Sequence, residues 1–207
     1  MPTRAAKLAF ERWSIETFRK VTAISPTEQL ALADPVSTLS LMRHYGVPCR
    51  LVDWSRSPFA SSIFATAMSE DDGVIWCVDR LEYDNRGKEQ WRLVPESGGY
   101  PDPVRFDAKL TMFDPIWIVF MNYVPGFPRQ DAQLGCYSLC PRFGVDHVAT
   151  IRQCIPSVSV RKYIIPASIK ESVRQWLQSR GVSALTLLPD PAGIAQFIEE
   201  AFPRQGG

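Results

Sequence analysis

The 207-residue chain has little that would direct it to a membrane, to secretion or to a polyanion. No apolar run approaches the roughly 20 residues that span a bilayer, and the first residues lack the apolar core of a secretory signal. With 23 basic and 22 acidic residues, the formal net charge is only +1. Because such a chain has no overall field to attract nucleic acid, any polyanion contact must depend on a local basic cluster. We predict a cytoplasmic protein without a membrane partner.

Motifs for metals and for nucleophilic catalysis are also scarce. The five cysteines are odd in number and widely spaced, which does not indicate a disulfide framework, and "CYSLC" lacks the spacing of a zinc site. There are only two histidines, and no G-x-S-x-G, P-loop, Rossmann fingerprint or H-E-x-x-H motif. Cys49 follows His44 by five residues, but no third group orients that pair. We therefore predict reduced thiols and no metal site.

Helical patterns dominate the first part of the chain. Residues 4–24 predict one amphipathic helix, and its apolar positions are Leu8, Trp13, Ile15, Phe18, Val21 and Ile24. The next segment, "SPTEQL", contains the capping pattern of Ser25, Pro26 and Glu28. Residues 36–45 predict another helix, ended by Gly46. "SPFASSIFATAMSE" predicts a third, with Phe59, Ile63, Phe64 and Ala67 on its packed face.

Strand patterns follow and alternate with two further helices. "CRLVDW", "GVIWCVDR", "PIWIVFMNYV", "DAQLGCYSLCPRF" and "SVRKYIIP" read as strands, the second buried and the fourth near a sheet edge, with Gly135 marking a bulge or a close backbone approach. Residues 82–105 predict a loop. "ASIKESVRQWLQSRG" predicts a helix ended by Gly181, and "LTLLPDPAGIAQFIEEAF" a short strand, a turn and a last helix.

This order predicts an α+β fold with a mixed, largely antiparallel sheet and flanking helices. We expect one domain over residues 1–207, with a helical part at about 4–45 and a mixed part at about 46–207. No repeat or low-complexity linker divides the chain.

The residues of chemical interest concentrate in "RHYGVPCRLVDWSRSP", and this stretch carries a family resemblance. "LMRHYGVPCRLVDWSRSPFASSIFATA" followed by "GVIWCVD" resembles the signature of the FRG domain family. "PRQDAQLGCYSL" and "VSALTLLPDPAGIA" resemble two later blocks of that family. The chain departs from the pattern at Arg43, Cys49 and Tyr137, where the family has Gln, Thr and Phe. The [FY]-R-G tripeptide of the family is absent.

A weaker resemblance connects the same blocks to ADP-ribosyltransferases of the Arg-Ser-Glu type. It implies an ADP-ribosyltransferase-like fold with NAD as the candidate ligand, Ser55 at the position of the scaffold serine, and Gln133 near that of the catalytic glutamate. Glycosyl transfer from NAD passes through an oxocarbenium-like state that a carboxylate stabilises. Glutamine carries no charge, and the pyrophosphate-binding arginine of the missing tripeptide is also lacking, so any transfer should be poor or absent.

The predicted catalytic residues are His44 and Gln133. His44 titrates near neutrality and could act as acid or base, or it could simply be a histidine stabilised at a helix C-terminus. Gln133 could hold a ribose hydroxyl or bridge backbone groups. The predicted ligand-binding residues are Tyr45, Arg50, Trp54, Ser55, Arg56 and Arg129.

Each predicted ligand contact also has a structural alternative. Tyr45 could stack on a base or pack in the core, and Trp54 is more typical of a core. Arg50 could bind phosphate or, like Asp53, form a salt bridge; we expect these two not to pair with each other, since they lie three apart in a strand. Ser55 and Arg56 precede a helix start that suits a phosphate or an ordinary cap.

We expect the His44–Arg56 stretch and the segment around Gln133 to form one cleft for a nucleotide-like ligand. The resemblance also implies a toxin or phage-defence component that acts on a protein or nucleic-acid acceptor. The alternatives are a non-catalytic interaction or regulatory module and a nucleic-acid-binding domain that uses Arg43, Arg50, Arg56 and Tyr45.

Overall fold

The computed structural model describes residues 3–21, 25–32, 35–67, 70–92, 118–122, 127–140, 142–191, 193–195 and 198. The chain forms two compact units. Unit 1 comprises Met1–Asp53, Val78–Val124 and Tyr137–Val160, and unit 2 comprises Trp54–Cys77, Pro125–Cys136 and Arg161–Gly207.

Helices and strands alternate along most of the described chain. The helices are α1 (Arg4–Val21), α2 (Pro26–Ala31), α3 (Pro35–His44), α4 (Pro58–Ala67), α5 (Arg80–Arg92), α6 (Pro128–Ala132), α7 (His147–Cys154), α8 (Lys170–Gln178) and α9 (Ala184–Leu187), and a 3₁₀ turn at Ala167–Ile169 precedes α8. The strands are β1 (Leu51–Ser55), β2 (Gly73–Val78), β3 (Val119–Asn122), β4 (Gly135–Leu139) and β5 (Val160–Ile165). Among the described residues, no helix is long and apolar enough to cross a membrane.

The fold is α+β, with antiparallel strands in two small sheets, as the sequence predicts. One sheet has the strand order β1-β4-β3 and the other pairs β2 with β5. The prediction that β4 lies near an edge is wrong, because β4 is the middle strand and its residues 136–139 are buried. Gly135 also makes no close approach, since a Cβ there would meet Gln130 only at 3.5 Å.

The core of unit 1 lies between α1, α3 and the three-stranded sheet. It contains Ile15, Leu39, Met42, Leu51, Val119, Met121, Tyr137 and Leu139. Of the predicted apolar face of α1, Ile15 is buried and Phe18 packs against this core, whereas Trp13 is 58% exposed. Val21 and Ile24 lie outside the described side chains. The predicted face was therefore only partly correct, because near-helical spacing does not show which side of a helix meets the core.

Unit 2 is built on the packing of α4 against α8. Its core joins Ala60 and Ile63 to Leu177 and Leu187. The predicted packed face of α4 is wrong at Phe59 and Phe64, which are both exposed. Strand β2 is likewise not fully buried, as its second and fifth residues are exposed.

One glycine of unit 2 is required by packing. A Cβ at Gly73, the first residue of β2, would lie 2.1 Å from the Ala65 carbonyl oxygen of α4. Since no real side-chain carbon approaches an oxygen so closely, α4 and the start of β2 can meet only where the chain has glycine.

Residues 82–92 and 185–188 differ from their predicted elements. Residues 82–92 belong to α5 rather than a loop, and residues 93–105 of that prediction lie outside the described chain. Asp79 caps α5 by accepting from the Glu82 backbone N–H at 2.9 Å. The buried Tyr83 hydroxyl forms hydrogen bonds with the Ile118 backbone. These two contacts stabilise a helix whose sequence is very polar. The predicted strand at 185–188 is largely the short helix α9, which begins with a capping box at Ser183 and Thr186.

The sequence patterns do not predict α6, which occupies part of the strand predicted at 131–143, and they do not predict α7. Other local predictions agree with the structure. Ser25 and Glu28 form the predicted capping box of α2, with Pro26 at its first position. Gly46 and Gly181 follow α3 and α8 with positive φ values of 77° and 73°, the left-handed conformation that favours glycine.

Candidate functional site

A cavity of about 450 Å³ lies beside α1 in unit 1. Residues 6, 7, 10, 11 and 14 of α1 line it, and this spacing places them on one helical face. Leu39 and Met42 of α3 add apolar surface, and Cys49, Arg50 and Phe143 complete most of the wall. The volume falls within the range of small-molecule pockets. The cavity is therefore a candidate binding site in unit 1.

A buried ion pair forms part of this wall. The Arg50 side chain is 2% exposed and the Glu11 side chain 11%. The Arg50 Nε donates to Glu11 Oε1 at 2.8 Å, while Nη2 donates to the other carboxylate oxygen. The guanidinium carbon also lies 4.1 Å from the centroid of the Phe143 ring. Arg50 is thus held by a two-point carboxylate contact and an aromatic face.

Apolar and cationic groups provide the rest of the cavity's chemistry. Phe10 is 61% exposed and lies at the rim, and Lys7 is half-buried one helical turn before Glu11. A Cβ placed on Gly144 would lie 3.7 Å from Lys7 Nζ, so the amine lies close to this backbone. The lining combines aromatic surface with the charges of Lys7, Glu11 and Arg50, a composition that suits a flat ligand with an anionic group.

Cys49 contributes a thiol to the same wall but is a poor nucleophile. Burial raises the pKa of the Cys49 thiol, although a backbone hydrogen bond from Leu51 and the charge of Arg43 oppose the change. The thiol is therefore protonated near neutral pH, which does not favour a nucleophilic role for Cys49.

Other signature residues make structural contacts within unit 1. Arg43 pairs with Asp53, with Nε 2.6 Å from Oδ2, so Arg50 and Asp53 have separate partners as the sequence predicts. The Tyr45 hydroxyl donates to Glu28 of α2. This hydrogen bond, followed by burial and the Glu28 charge, raises the pKa of Tyr45 to about 12. Tyr45 therefore connects α2 to the end of α3.

His44 lies beside Tyr45 at the end of α3. The two rings meet edge to face, with their centroids 5.2 Å apart. The pKa of Glu28 is lowered from its ordinary value. Burial alone would raise it, but hydrogen bonds from Tyr45 and Ser25 and the charge of His44 lower it by more. The position at a helix C-terminus matches the structural alternative for His44, and its catalytic role stays a prediction.

The second predicted cluster lies in unit 2, where Ser55 and Gln133 meet. The Ser55 hydroxyl donates to the Gln133 carbonyl oxygen at 2.6 Å and accepts from the Ser57 N–H at 2.9 Å. Gln133 is not in a strand, because Pro128 starts α6 and Gln133 is the residue that ends it. Its side-chain nitrogen donates to the Leu187 carbonyl oxygen at 3.0 Å. This contact is the backbone bridge that the alternative for Gln133 describes.

Arg129 and Arg56 take part in the same group of contacts. Arg129 binds Asp190 through two nitrogens, at 2.6 and 2.7 Å, and Asp190 also caps the Gly193 N–H at 2.9 Å. The Arg56 N–H donates to the Leu134 carbonyl oxygen at 3.0 Å. Trp54 is half-buried. In unit 2, residues 55–56, 129–134 and 187–190 therefore meet through hydrogen bonds and one ion pair.

The predicted site residues divide between the two units. His44, Tyr45 and Arg50 belong to unit 1, and Trp54, Ser55, Arg56, Arg129 and Gln133 belong to unit 2. Ser55 and Gln133 are brought together, and Arg50 lines the cavity of unit 1. A single cleft that includes all of them stays a prediction.

Sequence reasoning missed most of the lining, including Lys7, Phe10, Glu11 and Phe143. The spacing of Lys7, Glu11 and Ser14 on a predicted helix was the available signal. This spacing does not by itself indicate a site, because polar residues on one face of an amphipathic helix are usually solvated. In the described part of the chain, no group of three or more His, Cys, Asp or Glu side chains could hold a metal ion.

These features define an α+β protein with a small-molecule-sized cavity beside its first helix. Residues 3–73, about a third of the chain, match the sequence model of the FRG domain. The match supports the FRG family for the segment that contains α1, the signature stretch and α4, whereas the later blocks rest on resemblance alone. No curated protein and no solved structure matches the chain.

Proposed function

We propose that this FRG-type chain binds a nucleotide-like small molecule in the α1 cavity, with NAD as the first candidate. The observation that carries the proposal is the cavity itself, about 450 Å³ in volume and lined by Phe10, Phe143, Lys7 and the Arg50–Glu11 pair. Aromatic rings can stack on a base or a nicotinamide, and an amine can attract a phosphate.

The proposal concerns binding rather than turnover. Gln133 bears no charge and its side-chain nitrogen is engaged by Leu187, so nothing at this position would stabilise a developing oxocarbenium ion. An ADP-ribosyltransferase-like fold, and a role as a toxin or phage-defence component, stay predictions of the resemblance. The competing class is a non-catalytic interaction or regulatory module, which would bind no nucleotide.

Isothermal titration calorimetry with NAD and with AMP tests the proposal. We expect Lys7→Ala to weaken binding about tenfold, which corresponds to about 1.4 kcal/mol, and Ser14→Phe to abolish it by filling the cavity. Arg12→Ala is the matched control, since Arg12 is an exposed cation on the same helix but outside the lining, and its affinity should equal that of the wild type.

Two results would contradict the proposal. One is the absence of binding heat for both nucleotides with the wild type, and the other is equal affinity across the wild type and all three variants. Thermal unfolding of each variant checks that a lost signal reflects the site and not the fold.

A further inference from the structure

Glu11 and Arg50 both line the cavity of unit 1, and the Glu11 carboxylate is the hydrogen-bond acceptor of the pair. Arg50 is the more deeply buried partner, at 2% exposure against 11%, and its Nε and Nη2 both point to the Glu11 carboxylate. Phe143 covers the guanidinium carbon at 4.1 Å. A ligand in the cavity would therefore meet a carboxylate whose charge is offset by Arg50.

A ligand phosphate is not expected to displace Glu11 from Arg50. Such a displacement would leave a nearly buried carboxylate without its cation, which is one of the most costly changes in a protein interior. A carboxylate has about four acceptor positions, and the two hydrogen bonds from Arg50 use one on each oxygen. The remaining positions suit donors on the ligand, such as hydroxyl groups.

Lys7 supplies the complementary cation on the same face of α1. Residues four apart on a helix lie about 5–6 Å from each other at their Cβ atoms, so Lys7 and Glu11 are neighbours along the cavity wall. A ribose 5′-phosphate carries a vicinal diol on its ring and a phosphate at its 5′ end. The pair matches a ligand with hydroxyl donors at one end and an anion at the other.

We propose that Glu11 contacts the ligand and selects a vicinal diol, that Lys7 binds the phosphate, and that Arg50 is a positioning residue that orients the Glu11 carboxylate. This inference rests on the proposed function and specifies its ligand as a phosphorylated ribosyl compound. Of the two roles left open for Arg50 by the sequence, it adopts the salt bridge, here with Glu11, over direct phosphate binding.

The test compares AMP with 2′,3′-dideoxy-AMP, which retains the base and the phosphate but lacks the diol. We expect the wild type to bind AMP at least tenfold more tightly. In Glu11→Gln and in Arg50→Lys the preference should shrink towards equal affinity, because the first loses the charged acceptor and the second loses the fork that orients it. Lys7→Ala should weaken both ligands equally and leave the preference unchanged.

The outcomes separate this inference from the proposed function. Equal binding of the two nucleotides by the wild type would overturn the role of Glu11 and leave nucleotide binding in place. No binding of either would overturn this inference, and no binding of NAD as well would overturn the proposed function. The wild-type ratio needs no variant, so it decides the question even where a substitution at the buried pair prevents folding. A preference that persists unchanged in a folded Glu11→Gln variant would also overturn the inference.

Discussion

Several buried polar side chains in unit 1 have a particular partner, and Arg50 with Glu11 is one example. Ser138 and His147 form another, with Ser138 Oγ 2.7 Å from His147 Nδ1 and both residues buried. Asp146 precedes His147 and caps α7 through the Ala149 N–H. Because hydrogen bonds of this kind are costly to leave unmade in the interior, the protonation state of His147 should affect stability.

The expected pH dependence follows from the direction of the His147 change. Burial lowers the pKa of His147, and the charge of Asp146 opposes this only in part. The unfolded chain takes up a proton near the ordinary value of about 6.5, whereas the folded chain does so only at lower pH. The stabilising contribution is therefore present above about pH 6.5 and is lost as the pH falls towards the folded pKa.

Urea unfolding between about pH 7.5 and 5.5 measures this effect. We expect the free energy of unfolding of the wild type to fall over this interval, and that of His147→Asn to be lower overall but flatter. His44 is the only other histidine, so a fall of the same steepness in both proteins would assign the effect elsewhere.

At the scale of elements, turns position several of the candidate site residues. The turn between α6 and β4 holds Gln133 and Leu134. Leu134 has a φ of 48°, and among the described residues it is the non-glycine residue with positive φ. A leucine in this left-handed conformation is strained by about 1–2 kcal/mol, because its Cβ approaches the following carbonyl oxygen. The Arg56 N–H binds the Leu134 carbonyl oxygen at 3.0 Å and helps to hold the turn.

Leu134→Gly should relieve this strain. Leu134 is exposed, so little packing is lost, and we expect the free energy of unfolding to rise by about 0.5–1 kcal/mol after the greater flexibility of unfolded glycine is considered. Leu134→Ala is the control, since alanine retains the Cβ and should bring no gain. Chemical denaturation of the three proteins gives the comparison, and a less stable Leu134→Gly variant would contradict the interpretation.

At the scale of the whole molecule, the small net charge is accompanied by local ion pairs between arginines and carboxylates. Of the arginines invoked for nucleic-acid binding, Arg43 is paired with Asp53 and Arg50 with Glu11. Arg56 donates to a backbone carbonyl oxygen at 3.5 Å. Two of the three guanidinium charges are thus offset by carboxylates, which leaves little basic surface in this stretch for a phosphate backbone.

We therefore expect weak binding to duplex DNA. In fluorescence anisotropy at physiological salt, the affinity should be weaker than usual nonspecific binding, with a dissociation constant above the range of about 10⁻⁴–10⁻⁶ M. A variant with Asp53→Asn, which removes one offsetting charge, should bind somewhat more tightly. Submicromolar affinity of the wild type that falls steeply between about 50 and 200 mM salt would favour the nucleic-acid alternative.

The sequence by itself determined the features that depend on local interactions. The capping box at Ser25, the helix stops at Gly46 and Gly181, the strand character of β1 to β5 and the α+β class were all readable, because caps, turns and apolar runs involve neighbouring residues. The polar helix α5 was not, since its main anchor is the contact of Tyr83 with Ile118, 35 positions away.

Only the tertiary structure decided which side chains act together. Glu11 meets Arg50 across 39 positions and Ser55 meets Gln133 across 78, distances over which no spacing rule predicts a contact. The same limit explains why β4 proved to be a central strand and why the cavity involves Lys7 and Phe143. Local patterns specify the elements, but a site forms where distant segments pack, and that packing depends on the shape and burial of the whole unit.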